Sequence, residues 1–394
     1  MSPGKMAKRM TTCQKVVYDK NYIESILEEI GDRKVFILAS KSLDKNSDIV
    51  SSLVEKLEQT DKFGGLFMEI EQHTTDRSCI RAANLIKESK CKCVVTLGGG
   101  SITDAAKAIR LCITYNIQDS SGFQRFHRDS NLFSLVSADF DSDLLVINVP
   151  TTLSAGEFSL IAGVKDTQKG LKFGYLHDKL VADVVILDPS VTLYTPEYLW
   201  ISSGVRAIDH SIETICSPMS NILADTVCKK SLKLLLENLK KSTATDSSGI
   251  EARRNCLLGA WLSITGLTQS VPLGGSHGIG HILGAYGIIH GHTSCIMAPH
   301  IIKYNWDAMT PSMKADLGDV FSGEQLPYNA LFEFIKDLKM PQTLEEVSIK
   351  KEDIASMAQQ ATHDDFTQAN LRPLTAAKIE EILSNIYSNA ESAL

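Results

Sequence analysis

Residues 93–101 read Cys93-Val94-Val95-Thr96-Leu97-Gly98-Gly99-Gly100-Ser101, a short apolar run that leads directly into three glycines and a serine. The run has the length and β-branched residues of a buried strand, and residues 102–115 have a helical pattern. Glycines at such a turn let backbone N–H groups approach an anion, and the helix N-terminus adds positive potential. The stretch predicts a phosphate-binding turn, with a plain strand-to-helix connection as the alternative.

Similar apolar runs lie on both sides of this turn, separated by helical patterns. We predict further strands at residues 34–39, 67–70, 144–149 and 184–187, and helices at 47–59 and 76–90. After Pro189 the helical patterns are clearest at residues 207–216, 223–239, 253–270 and 374–388. The alternation predicts a mainly parallel, Rossmann-like sheet covered on both faces. We therefore expect a dinucleotide-binding α/β domain at 1–190 and an all-helical substrate or metal domain at 191–394.

The composition narrows the class of protein. The chain has 394 residues, of which 43% are hydrophobic and 22% charged, with a net charge of -7. That charge argues against a nucleic-acid binder, and no apolar run reaches the ~18 residues of a membrane span. The first ten residues lack the apolar stretch of a secretory signal, and the nine cysteines form no disulfide pattern. We expect a cytoplasmic protein with a small-molecule partner.

A second candidate loop follows the strand at 144–149 and reads Pro150-Thr151-Thr152-Leu153-Ser154-Ala155-Gly156-Glu157. Its hydroxyls and small residues suit contacts to a pyrophosphate or a ribose. Ligands of parallel sheets bind at the carboxyl ends of the strands, where this loop and the glycine turn are both expected. Together the two loops favour a bound nucleotide.

Histidines concentrate in the helical half of the chain. Arg206 and His210 are four residues apart in a helical stretch and therefore share one face. His277 and His281 are also four residues apart. His290 follows shortly after, in a glycine-rich segment. Neutral imidazoles could hold a divalent metal, or they could donate protons near neutral pH. Both interpretations stay open at this point.

In combination, these motifs resemble the iron-containing (group III) alcohol dehydrogenase superfamily, which includes maleylacetate reductase, glycerol dehydrogenase and dehydroquinate synthase. The resemblance rests on GGGS at 98–101, PTT at 150–152, the helical His210, and HGxxH at 277–281 followed by HG at 290–291. It spans nearly the whole chain, from Val35 to the helices beyond His300. It implies a dehydroquinate synthase-like architecture, a nicotinamide cofactor and a homodimer.

The resemblance also implies which residues bind the cofactor. The pyrophosphate would be bound by Gly98, Gly99, Gly100, Ser101 and Asp104, the nicotinamide side by Thr151 and Thr152, and the ribose by Lys172. Ser40 directly follows the strand at 34–39. An acidic residue at this position would bind the ribose 2′-OH and exclude a 2′-phosphate. The absence of that acid permits NADPH and leaves NADH open.

For the reaction centre, the resemblance implies the metal ligands His210, His277 and His290, with His281 passing protons near the nicotinamide. One position departs from the pattern. The superfamily has an aspartate four residues before the first histidine, where this chain has Arg206. A guanidinium cannot ligate a cation and repels one. The sequence therefore favours iron or zinc being absent.

Maleylacetate reductases also lack that aspartate, and Gln72-His73-Thr74, where metal-dependent members tend to carry Asn-Pro, points the same way. We therefore expect an NAD(P)H-dependent reductase of the C=C or C=O bond of a small carboxylated substrate. Arg206 would clamp the carboxylate, or would form an ion pair with Asp209 or Glu213, and His281 or His277 would give the proton. The alternatives are a metal-dependent alcohol dehydrogenase and a dehydroquinate synthase-like lyase.

Overall fold

The computed structural model describes residues 13–394 except 72, 125, 127–132, 137–139 and 322–325. The chain divides after Thr195 into two compact units, here called the α/β unit (Thr11–Thr195) and the helical unit (Pro196–Leu394). Within the described residues, no helix combines the length and the apolar character that crossing a membrane requires. All nine cysteines are buried, and none of them forms a disulfide bond with another described residue.

The α/β unit is built on two sheets. Its strands are β1 (Lys15–Tyr18), β2 (Val35–Ala39), β3 (Phe63–Phe67), β4 (Cys93–Gly98), β5 (Phe133–Leu135), β6 (Leu145–Pro150), β7 (Ile161–Lys165), β8 (Lys172–Leu176) and β9 (Val184–Leu187). Six of them form a wholly parallel sheet in the order β1-β9-β6-β4-β2-β3. A smaller sheet has the order β5-β8-β7, with β7 antiparallel to β8. The expected Rossmann-like parallel sheet is confirmed.

The helices of this unit are α1 (Tyr22–Ile30), α2 (Lys41–Asn46), α3 (Ile49–Gln59), α4 (Asp76–Ser89), α5 (Gly100–Thr114) and α6 (Ser120–Gln124). Strands β2 and β4 are buried along their whole length, because helices cover both faces of a parallel sheet. Their side chains pack with apolar residues of α1 and α3 into one core, which includes Ile26, Ile37, Leu53 and Val95. This core fixes the strand ends from which the candidate loops project.

The strand predicted at 67–70 is wrong, because β3 lies four residues earlier, at Phe63–Phe67. Gly64 and Gly65 concealed it, since glycine is depleted in strands. The tertiary structure explains both glycines. A Cβ on Gly64 would lie 2.1 Å from the Cys91 sulfur, and one on Gly65 would lie 2.6 Å from the Phe36 ring. Sequence reasoning also missed β1, β5, β7 and β8.

The helical unit contains no strand among its described residues. Its helices are α7 (Glu197–Cys216), α8 (Ile222–Asn238), α9 (Ser247–Ser263), α10 (Thr265–Thr268), α11 (Gly275–Ala285), α12 (His290–Asn305), α13 (Pro311–Val320), α14 (Pro327–Asp337), α15 (Ile354–Ala361), α16 (Asp365–Gln368) and α17 (Ala376–Asn385). Helix α7 begins ten residues before the predicted start at 207 and is buried along most of its length. Its Trp200 is fully buried and donates from Nε1 to Ser242 Oγ at 2.8 Å. This burial holds the polar residues of α7 in a fixed, largely dry environment.

Candidate functional site

The glycine turn connects β4 to α5, as predicted, with Gly99 as the N-cap residue of the helix. The carbonyl of Gly99 accepts the N–H groups of Ile102 and Thr103, at 3.0 and 3.2 Å. The N–H groups of Gly100 and Ser101 bond to no other described residue. They are therefore available to an anion at the helix N-terminus.

The second loop lies against this turn, because β6 pairs with β4 in register and Thr151 donates its N–H to Gly98 O at 3.0 Å. A Cβ on Gly99 would lie 3.0 Å from Thr152 Cγ2, and one on Gly100 would lie 3.3 Å from Ser154 Oγ. The buried hydroxyls of Thr152 and Ser154 have no hydrogen-bond partner among the described residues. Glycine at 99 and 100 thus permits a close approach that leaves two hydroxyls beside the turn.

Three other predicted cofactor residues belong to the same unit. Ser40 follows β2, where its N–H donates to Leu97 O at 3.1 Å, and it caps α2. Lys172, at the start of β8, lies 3.6 Å from the carboxylate of Asp104. Since a carboxylate repels a phosphate, Asp104 is better suited to orienting Lys172 than to touching the pyrophosphate itself.

The segment after β3 supplies a further contact. Thr74 donates from Oγ1 to Ser101 O at 2.9 Å, so this segment buttresses the glycine turn. Gln72, which contributed to the expectation for 72–74, lies outside the described residues.

Sequence reasoning missed a buried lysine that holds the second loop. Lys107, in the middle of α5, donates from Nζ to the carbonyls of Gly156, Ser159 and Ile161 at 2.6, 2.8 and 2.8 Å. Burial lowers the pKa of this ammonium to about 8. Glu157 in the same loop is also buried, and this raises its pKa to about 7. A charged residue inside a helical pattern gave no signal of the role of Lys107.

The helical unit gathers a second set of polar residues around α7. Arg206 is partly exposed, and its Nη1 lies 3.2 Å from His290 O, with weaker contacts to Thr293 and Ser294 hydroxyls at 3.5 and 3.4 Å. Within the described part of the chain, no carboxylate lies within ion-pair distance of this guanidinium, so the predicted ion pair with Asp209 or Glu213 is not formed. Nη2 of Arg206 also has no acceptor there.

Glu213 caps the N-terminus of α11. Its Oε2 accepts the N–H of Gly274 at 2.8 Å and its Oε1 that of Ser276 at 2.7 Å. His277 Nδ1 lies 2.8 Å from Glu213 Oε2 and 3.3 Å from Asp209 Oδ2. Burial raises the pKa of Glu213 to about 7 and, together with Glu213, raises that of Asp209 well above its ordinary value. The three groups form one buried cluster, and the charge of Arg206 opposes the rise in both carboxyl pKa values.

The predicted histidines lie near one another but differ in their contacts. The rings of His210 and His277 stack with centroids 4.7 Å apart, and burial lowers the pKa of both, which favours neutral imidazoles. His277 Nε2 is buried without a hydrogen-bond partner among the described residues. His290 begins α12, and His281 Nδ1 lies 2.9 Å from Asp364 Oδ2. Asp364 is a residue that sequence reasoning missed.

The structure brings together one set of donor atoms that the resemblance did not imply. In the described chain, the group of three whose donor atoms all lie within 4.8 Å of one another is Asp209, Glu213 and His277. The set His210, His277 and His290 therefore stays a prediction. Carboxylates with an imidazole suit iron, zinc or manganese, so the expectation that a metal is absent finds no support here. In this group Glu213 also caps the N-terminus of α11, and the charge of Arg206 acts on it.

Comparison with known proteins identifies the family. A model of iron-containing alcohol dehydrogenase matches residues 13–189, and one of the Fe-containing alcohol dehydrogenase family, C-terminal, matches 200–387. Dehydrogenase ALT3 of Alternaria alternata is 32% identical, covering 90% of this chain and 99% of its own. Maleylacetate reductase 1 of Cupriavidus pinatubonensis is 26% identical, covering 95% of each chain. The crystal structure of maleylacetate reductase from Agrobacterium tumefaciens superposes with a TM-score of 0.80, at 25% identity, covering 98% of this chain and 99% of its own. The chain therefore belongs to the iron-containing alcohol dehydrogenase family and is an oxidoreductase.

Proposed function

We propose that the chain uses NAD(P)H to reduce a C=C or C=O bond in a small carboxylated substrate. In support, its relatives include proteins named maleylacetate reductase, a name that indicates reduction of such a substrate by those proteins. In this reaction a hydride leaves the nicotinamide and a proton leaves the protein, and together they saturate the double bond. A lyase would regenerate its nicotinamide, whereas a reductase consumes one NAD(P)H for each product molecule. A cytoplasmic location and a homodimer stay predictions.

The cofactor assignment is supported by the α/β unit. The free N–H groups of Gly100 and Ser101 and the hydroxyls of Thr152 and Ser154 lie at the carboxyl ends of neighbouring strands. Such N–H groups at a helix N-terminus suit a pyrophosphate. Ser40 carries no carboxylate that would exclude a ribose 2′-phosphate, so we propose that either nicotinamide cofactor is accepted.

The observation that carries the substrate class is the state of Arg206. Its Nη1 is held by His290 O, while Nη2 has no acceptor among the described residues and no carboxylate forms an ion pair with it. A guanidinium that is fixed on one side and open on the other is prepared for a ligand carboxylate. Asp209 and Glu213 act on this guanidinium electrostatically without an ion pair, so the substrate would supply the carboxylate in direct contact.

The proton is assigned to His281. Its side chain is 28% exposed, so a substrate can reach it, whereas His277 is buried and held by two carboxylates. Imidazole is the side chain best matched to proton transfer near neutral pH. His277 then lines the site together with His210 and does not exchange protons with solvent.

The substitution Arg206→Met tests the substrate class. Loss of a charge-assisted hydrogen bond of 1.5–3 kcal/mol predicts a roughly 10- to 150-fold higher KM for maleylacetate or another keto or enone acid. The KM for NAD(P)H should not change, and neither should the KM for an uncharged methyl ester of the same acid. Arg254→Met, which removes a partly exposed guanidinium paired with Glu251, serves as the control. An unchanged KM for the acid would refute the clamp.

A metal-dependent alcohol dehydrogenase is the second candidate, and the buried Asp209–Glu213–His277 cluster favours it. A bound iron or zinc would act there as a Lewis acid on a substrate oxygen. Metal analysis of the purified protein separates the two candidates. Three results together would establish the metal-dependent enzyme. The purified protein would contain near one equivalent of metal, its activity would be lost to a chelator, and Asp209→Asn would no longer bind the metal. Activity that survives chelation in protein without metal would establish the metal-free one.

A further inference from the structure

A carboxylate far away in the sequence meets the proposed proton donor. His281 lies on α11, and Asp364 precedes α16, 83 residues later. His281 Nδ1 and Asp364 Oδ2 are 2.9 Å apart, and Asp364 is only 2% exposed. We propose that Asp364 is a positioning residue that fixes the tautomer of His281, so that the proton enters and leaves through Nε2. The proposal rests on the proposed function, in which His281 supplies the proton.

The position of Asp364 is set by its other contacts. Its Oδ1 accepts the N–H of Phe366 at 2.9 Å, which caps α16. The Phe366 ring lies 5.5 Å from the His281 ring, measured between centroids. The carboxylate is therefore held by its own helix cap before it meets the histidine, so the ordering of the pair costs little further entropy.

The close approach of this turn to α11 depends on Gly278. A Cβ at Gly278 would lie 2.2 Å from Thr367 Oγ1 and 2.9 Å from Asp364 Oδ1. Because Gly278 has no side chain, the turn that carries Asp364 can lie directly on the helix that carries His281. The pair is thus a product of packing between α11 and α16.

The tautomer follows from hydrogen-bond chemistry. An ionised carboxylate only accepts hydrogen bonds, so the imidazole nitrogen facing it must carry a proton. That proton is on Nδ1. In the neutral ring Nε2 therefore carries the lone pair, and in the charged ring Nε2 carries the second proton. Since the side chain is partly exposed, Nε2 is the nitrogen that can exchange a proton with a substrate.

Nitrogen NMR of the holoenzyme tests the tautomer directly. In 15N-labelled protein with its histidines neutral, the resonances missing from the His281→Gln spectrum identify His281. The proposal expects Nδ1 to be the protonated nitrogen in the unchanged chain and expects Asp364→Asn to reverse this, because an amide N–H would then face Nδ1. Finding Nε2 protonated in the unchanged chain, or no reversal in Asp364→Asn, would overturn the proposal.

Kinetics separate this proposal from the proposed function. We expect Asp364→Asn to lower kcat about 100-fold or more without changing the Kd for NAD(P)H, and to have no further effect once His281→Gln is present. Asp365→Asn, an exposed neighbour of equal charge with no contact to His281, should leave kcat unchanged. Additive losses in the double variant would overturn the positioning role. If His281→Gln retains its kcat while the tautomer result holds, the proton role in the proposed function is what fails.

Discussion

Glu157 provides the sharpest quantitative prediction, because it is a buried carboxyl whose Oε2 has no hydrogen-bond partner among the described residues. Burial raises its pKa from the ordinary 4.5 to about 7, against the opposing effect of Lys107. Between these two values the folded chain binds more protons at this carboxyl than the unfolded chain does. The free energy of unfolding therefore falls as the pH rises through this window, and Glu157 imposes its full cost only above about pH 7.

The magnitude follows from the two pKa values. A difference between about 7 and 4.5, at ~1.4 kcal/mol for each pH unit, corresponds to ~3 kcal/mol. Glu157→Gln keeps the shape of the protonated side chain and removes the titration. Near pH 4.5 the variant should match the unchanged chain, and at pH 8 it should be more stable by ~3 kcal/mol. For a unit of this size that is a rise in Tm of about 6–12 °C.

The assay is the difference in Tm between Glu157→Gln and the unchanged chain, measured by scanning calorimetry at several pH values from 4.5 to 8. The calorimetric transition of the α/β unit is the relevant one, since two units need not unfold together. Glu58→Gln, at an exposed position on α3, is the matched control and should show no such trend. A Tm difference that does not change with pH would refute the reasoning.

Further predictions concern the cofactor loops. Gly99→Val should raise the Kd for NAD(P)H at least about tenfold, measured by fluorescence titration, because a side chain there meets Thr152 at 3.0 Å; an unchanged Kd would mean that the turn binds no phosphate. Lys107→Met should lower the Tm of the α/β unit by several degrees, because the carbonyls of Gly156, Ser159 and Ile161 lose their donor. It should also weaken NAD(P)H binding through the loosened loop, and an unaltered Kd would show that the loop keeps its shape without the ammonium.

Local patterns predicted most of the framework. The buried strands at Val35 and Cys93 appear in the sequence as continuous apolar runs, because a parallel sheet is covered on both faces. The glycine turn at 98–101 is local as well, and it lies between the strand and the helix predicted for it. The spacing of His277 and His281 is also local, and the structure places both on α11, a helix outside those predicted. Strand β3 escaped prediction, because its two glycines are explained only by the Cys91 and Phe36 side chains that pack on them.

The sequence by itself determined the α/β architecture, the glycine turn at 98–101 and the arginine at position 206, since each depends on residue types within one element. Only the tertiary structure decided which other residues they contact. It turned Glu213 toward the α11 N-terminus, left Arg206 without an ion pair among the described residues, and brought Asp364 to His281. Contacts between residues distant in the chain depend on how helices pack, and a periodic pattern records which face is buried without recording its neighbour.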